Sequence, residues 1–125
     1  MENKHKHLII SALVDIRPDI HRYKHDVRND IHELVRMIDM KILGGPYYHY
    51  ISDGPNQGIT VTTIIETSHI IMHTWDKDYP IQMELDIYSC KDIDLDKVFE
   101  WMDRFTPVDI KYKYLDRTED LIPWK

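Results

Sequence analysis

Residues 59–66 and 68–75 are both rich in Ile, Val and Thr, side chains that suit a pleated, half-buried strand. In the second run, alternation puts His69, Ile71, His73 and Trp75 on one face and Ser68, Ile70, Met72 and Thr74 on the other. A sheet is therefore the frame to which the rest of the chain must adapt. His7–Val14 reads as a first, largely buried strand, broken by Pro18 and Asp19. Residues 81–90 form another, with Glu84, Asp86, Tyr88 and Cys90 on one face and Met83, Leu85, Ile87 and Ser89 on the other. In the last strand Val108, Ile110, Tyr112 and Tyr114 alternate with Asp109, Lys111 and Lys113.

Two helices complete the pattern. Val27, Ile31, Leu34, Val35, Ile38 and Ile42 recur at steps of three and four, giving one apolar stripe that Gly44-Gly45-Pro46 ends. Asp94 is placed to cap the second helix, which turns Leu95, Val98, Trp101, Met102 and Phe105 inward and is followed by Pro107. Tyr47, Tyr48, His49 and Tyr50, with the turn-rich residues 52–58, read as a loop. The order β-α-β-β-β-α-β predicts an α+β two-layer sandwich, two helices covering one face of a largely antiparallel sheet. No repeat or linker divides the chain, so residues 1–125 are expected to form one domain.

Composition narrows the function. A formal net charge of −6 on 125 residues argues against a general nucleic-acid binder, which needs a basic face. No stretch approaches a membrane span, and the start lacks the apolar run of a signal peptide, so a cytoplasmic protein is expected. The lone Cys90 forms no internal disulfide and fits a reducing compartment. At this length an enzyme is small to enclose a substrate unaided, which makes a homodimer the expectation.

The residues that carry chemistry lie in and just after the strand pattern. A serine at 68, a histidine five residues on and one thiol at the end of the next strand suggest a hydroxyl, a base and an acid brought together. Each also has a commoner structural use: a strand-end hydroxyl, a half-buried histidine bonded to backbone, a small buried thiol. His69 and His73 have a metal-like spacing, but on a strand they lie about 13 Å apart, so no metal is expected. A serine hydrolase is disfavoured because no Gly-x-Ser-x-Gly elbow surrounds Ser68. The Tyr47, Tyr48 and Tyr50 cluster is either packing or a stacking surface for a planar or cationic ligand.

Taken in order, Gly58-Ile59-Thr60-Val61, Glu66-Thr67-Ser68-His69, Met72-His73-Thr74-Trp75 and Asp86-Ile87-Tyr88-Ser89-Cys90 resemble the signatures of the short prokaryotic S-adenosylmethionine decarboxylase proenzymes. Those signatures are Gly-Val-Ser-Gly, Ser-Glu-Ser-His, Ile-His-Thr-Trp and Asp-Leu-Phe-Thr-Cys. The resemblance runs from Gly58 to Arg117 and more loosely from His7. It implies a chain that cuts itself between Thr67 and Ser68, leaving a pyruvoyl group derived from Ser68 as cofactor. That group would hold a substrate amine as a Schiff base and accept electrons as carbon dioxide leaves.

By the same resemblance, His73 is the processing base, Thr60 stabilises the cyclic intermediate of cleavage, and Cys90 assists processing and donates the proton that follows decarboxylation. Tyr48, Tyr50 and Glu66 match positions suited to substrate binding. The expected activity is decarboxylation of S-adenosylmethionine for spermidine synthesis, by a dimer with active sites near the subunit interface. The chain departs from the pattern at Thr67 for glutamate, Thr60 for serine, Val61 for glycine, Ser11 for an acid, and Asp76-Lys77 for Pro-Glu. These departures leave two alternatives: a related decarboxylase of arginine or ornithine, or an uncut homologue acting as a binding or regulatory partner.

Overall fold

The computed structural model describes residues 4–20 and 26–125; the first three residues of the start that was read for a signal peptide lie outside them. Six strands, β1 (Lys6–Val14), β2 (Ile42–Ile51), β3 (Gly58–Ile65), β4 (Ser68–Trp75), β5 (Ile81–Ser89) and β6 (Pro107–Asp116), form one sheet in the order β2-β3-β4-β5-β1-β6. Every neighbouring pair is antiparallel. Helices α1 (Val27–Met37) and α2 (Leu95–Met102) cover one face, with a short 3₁₀ turn (Asp103–Phe105) after the second. No helix among the described residues is long and apolar enough to cross a membrane.

The α+β sandwich expected from the pattern is the fold observed, with a sixth strand that the sequence hid. Residues 47–50 are not a loop: they lie in β2, whose Tyr47, Tyr48, His49 and Tyr50 pair with Thr62, Val61, Thr60 and Ile59. β2 is an edge strand, so Pro46, which has no N–H to give, is tolerated there, and the register slips on either side of Gly44. The first helix also ends earlier than its periodicity suggested. Asp39 takes a left-handed φ of 57°, its N–H bonds the Arg36 carbonyl, and the Met40 N–H bonds that of Val35. This pair of bonds closes the helix, and Ile42 passes to the sheet.

Alternation determines what is buried. Leu8, Ile10, Ala12 and Val14 of β1, Ile70 and Met72 of β4, and Met83, Leu85 and Ile87 of β5 face the helices and pack with Val27, Ile31, Leu34, Val98, Trp101 and Met102. Asp94 caps α2, its carboxylate accepting the Lys97 N–H at 3.3 Å. Trp101, fully buried, donates its indole N–H to the Asp30 carbonyl at 2.6 Å and so locks the helices together. Among the described residues no layer covers the opposite face, which exposes Ile9, Leu13 and Ile64 among polar neighbours.

One backbone contact depends on glycine. Gly58 opens β3 at φ 153°, and a Cβ there would collide with the Thr74 carbonyl oxygen. The Thr74 hydroxyl meanwhile accepts the Ile59 N–H at 3.0 Å, holding the start of β3 against the end of β4.

Candidate active site

The two-residue turn Glu66–Thr67 joins β3 to β4, so Ser68 is the first residue of a strand. Its φ is 146°, in a region that favours glycine and costs other residues about 1–3 kcal/mol. The carbonyl oxygen before it, on Thr67, accepts the Cys90 N–H at 2.8 Å. Cys90 lies one residue past β5, and Ser68 pairs with Ser89 across β4 and β5, which brings the sole thiol to the serine end of the sheet. The Thr67 hydroxyl donates to the Met40 sulfur at 3.4 Å, and the Glu66 N–H to the Lys41 carbonyl at 2.8 Å. The turn is thus tied to the segment between α1 and β2, while the Glu66 side chain is exposed.

Thr60 and His73 form the second pair. They are register partners on β3 and β4, with Thr60 Oγ1 2.9 Å from His73 Nδ1. The His73 ring lies 6.0 Å from that of Trp75. Both rings line a cavity of about 170 Å³ with Ile51, Asn56, Gly58 and Thr60.

The structure therefore brings the Cys90 backbone N–H to the Thr67 carbonyl that precedes Ser68, and joins Thr60 with His73, but does not join the two pairs. Ser68 and His73 stand five residues apart on an extended strand, roughly 16 Å, and an odd separation turns their side chains to opposite faces. Tyr48 and Tyr50 belong to neither pair. Their partners Val61 and Ile59 are buried residues of the helix-covered face. The Arg28 guanidinium lies 5.4 Å from the Tyr48 ring centroid, and Tyr50 lines a cavity of about 220 Å³ with Arg17, Pro18 and Ile20.

A group that the sequence did not single out occupies the open face beside the serine end: His7, His69, Asp86 and Tyr88 in contact, with His5 and Arg117 at the rim. Alternation placed His69 on one face of its strand, and Asp86 with Tyr88 on one face of theirs. The grouping with His7 depends on β1 inserting beside β5, which local pattern does not encode.

Comparison with known proteins adds to this geometry. The family model described as S-adenosylmethionine decarboxylase matches residues 6–118. The S-adenosylmethionine decarboxylase proenzyme of Pyrobaculum arsenaticum is 31% identical over 90 residues, covering 70% of this chain and 68% of that protein. The crystal structure of the adenosylmethionine decarboxylase from Aquifex aeolicus shares the fold, with a TM-score of 0.67 over 100% of this chain and 98% of that one at 19% identity.

Proposed function

The chain belongs to the S-adenosylmethionine decarboxylase family, and we propose that it decarboxylates S-adenosylmethionine with a pyruvoyl group made by cutting its own Thr67–Ser68 bond. The family is pyruvoyl-dependent, and such a group supplies the electron sink that decarboxylation needs. The observation that carries the reading is the geometry of that one peptide bond. Its carbonyl oxygen already holds an amide hydrogen bond from Cys90, and the residue after it is strained.

Both features favour the chemistry of cleavage. The Ser68 hydroxyl adds to the Thr67 carbonyl carbon, the C–N bond breaks, and an ester replaces the amide. Negative charge gathers on the Thr67 oxygen during this exchange, where the Cys90 N–H is placed to stabilise it. The strain at residue 68 is released with the amide nitrogen, because φ no longer exists for a residue that has lost its peptide bond. A base then removes the Ser68 α-proton and the ester carboxylate leaves, separating residues 1–67 from 68–125; the dehydroalanine left at residue 68 takes up water and loses its nitrogen as ammonia to become the pyruvoyl group. Threonine at 67 does not hinder this scheme, which uses only its backbone carbonyl.

The base is the part that one chain does not place. His73, held by Thr60, is too far from its own Ser68 to take that proton. A two-fold pair of chains meeting through the open face, antiparallel along β4, would bring the partner's Thr60 and the partner's His73 over the Cys90 end of the sheet, where the Ser68 Cα rather than its side chain is the atom the base must reach, and would repeat the arrangement at the other end. The exposed Ile9, Leu13 and Ile64 support contact through this face. Cys90, beside Ser68, then serves as the proton donor once the substrate carboxylate has left.

Intact mass and release of labelled carbon dioxide test the reading together. The purified protein should give two fragments meeting at 67/68 and release carbon dioxide from S-adenosylmethionine in preference to arginine or ornithine. Ser68→Ala should give one uncut, inactive chain, and activity in that variant would sink the mechanism. Ser68→Ala and His73→Ala chains, each inactive alone, should regain cleavage when refolded as a mixture; failure of rescue would exclude a shared site.

A further inference from the structure

His7 Nε2 and His69 Nε2 lie 2.7 and 3.5 Å from the same oxygen of Asp86. Register explains the convergence. Tyr88 of β5 pairs with His69 of β4 on one side and His7 of β1 on the other, and both imidazoles flank its ring, with centroids 5.7 and 5.9 Å away. From there each reaches diagonally to Asp86, two residues back along β5. The Tyr88 hydroxyl is 2.8 Å from His5 Nδ1, and the Arg117 guanidinium lies 4.2 Å from the ring centroid. Among the described residues no group of three or more His, Cys, Asp or Glu is arranged to hold a metal ion, so the cluster is a hydrogen-bonded and stacked network. Self-cleavage as described above uses none of these side chains.

We propose that Asp86 is a positioning residue. By tying His69 across β5 to His7, it holds the start of β4 in register after the chain is cut, so that residue 68 keeps its place although its covalent support from Thr67 is gone. The proposal rests on Ser68 being the residue at which the chain is cut. Before scission residue 68 is held from both directions along the chain. Afterwards it is a strand terminus, and such ends fray unless tied down. Residue 69 supplies the first side chain beyond the new end with partners across the sheet, Asp86 and Tyr88 of its own fragment, and Asp86 carries the tie on to His7 of the other fragment. A reacting group displaced by about 1 Å can lose roughly a hundredfold in rate, so this tie matters to turnover more than to substrate affinity.

The test is hydrogen exchange at the amides of residues 69–72 in four proteins: the cut chain and the uncut Ser68→Ala chain, each with and without Asp86→Asn. In the cut chain, Asp86→Asn should speed exchange about two- to fivefold, the loss expected for a half-exposed ion pair. In the uncut chain it should change exchange far less. kcat of the cut Asp86→Asn enzyme should fall about tenfold or more, with KM nearly unchanged. His69→Gln, which breaks the same tie from the other side, should reproduce the pattern. A cut wild-type chain whose exchange is unaffected by Asp86→Asn overturns the proposal, and so does an equal effect in cut and uncut chains, which would make the cluster ordinary strand support. A wild-type chain that is never cut overturns the Ser68 reading and this proposal with it.

Discussion

Replacing Ser68 by glycine and by alanine should reverse the usual order of stability of those two residues. In an ordinary strand, glycine is less stable than alanine by about 0.5–1 kcal/mol, because it loses more backbone freedom on folding. At position 68 the backbone φ is 146°, which alanine adopts only at a cost of about 1–3 kcal/mol and glycine adopts freely. Subtracting the first figure from the second leaves Ser68→Gly more stable than Ser68→Ala by up to about 2.5 kcal/mol. Both variants lack the hydroxyl, so both stay uncut and the comparison is between two intact chains. Urea unfolding at one fixed protein concentration is the assay, so that any self-association contributes equally to both variants. An alanine variant as stable as the glycine variant, or more so, would refute strain at this residue and remove one of the two supports for cleavage at 67/68.

Thr60→Val keeps the shape of the side chain and loses the contact with His73 Nδ1, and should slow self-cleavage about a hundredfold, followed as the disappearance of full-length chain, while leaving thermal stability within a few degrees. Gly58→Ala should destabilise by about 1–3 kcal/mol or more in urea, because its Cβ meets the Thr74 backbone; a neutral result would show that β3 opens differently. Hydrogen bonds from the Thr118 and Glu119 amides, and then from Lys6, hold the Asp116 carboxyl below the ordinary range. Its folded value lies below its unfolded one of about 3.9, so its contribution is present above that pH and is lost as pH falls through the folded value. Asp116→Asn should therefore flatten the acid limb of the stability curve, and superimposable limbs would show that the turn after β6 does not depend on this charge.

How much was legible in the sequence followed how local each signal was. β4 and β5 could be drawn from alternation, and the α2 cap from Asp94, because each is determined by neighbours a few residues away. β2 escaped because Gly44, Gly45 and Pro46 are breakers in a central strand and harmless at an edge, and edge position is a property of the whole sheet. The end of α1 escaped because Asp39, not glycine, takes the left-handed turn, while Ile38 and Ile42 continue the apolar spacing past it. At the site, the individual residues could be named. That Ser68 and His73 lie on opposite faces followed from their odd spacing, but the grouping into Ser68 with Cys90 and Thr60 with His73 needed strand order and register. The Asp86 cluster needed both.

The position of β1 has a further consequence. Scission at 67/68, as proposed, would assign β1, α1, β2 and β3 to one product and β4, β5, α2 and β6 to the other. Yet β1 lies between β5 and β6, and β3 lies against β4, so the first product both borders the second and places one strand inside it. The products would be complementing fragments, each lacking strands that only its sibling supplies. The chain can therefore lose a covalent bond at its centre without losing its quaternary identity: two bands on a denaturing gel would travel as one particle in solution, and neither gene half expressed alone would have a finished core.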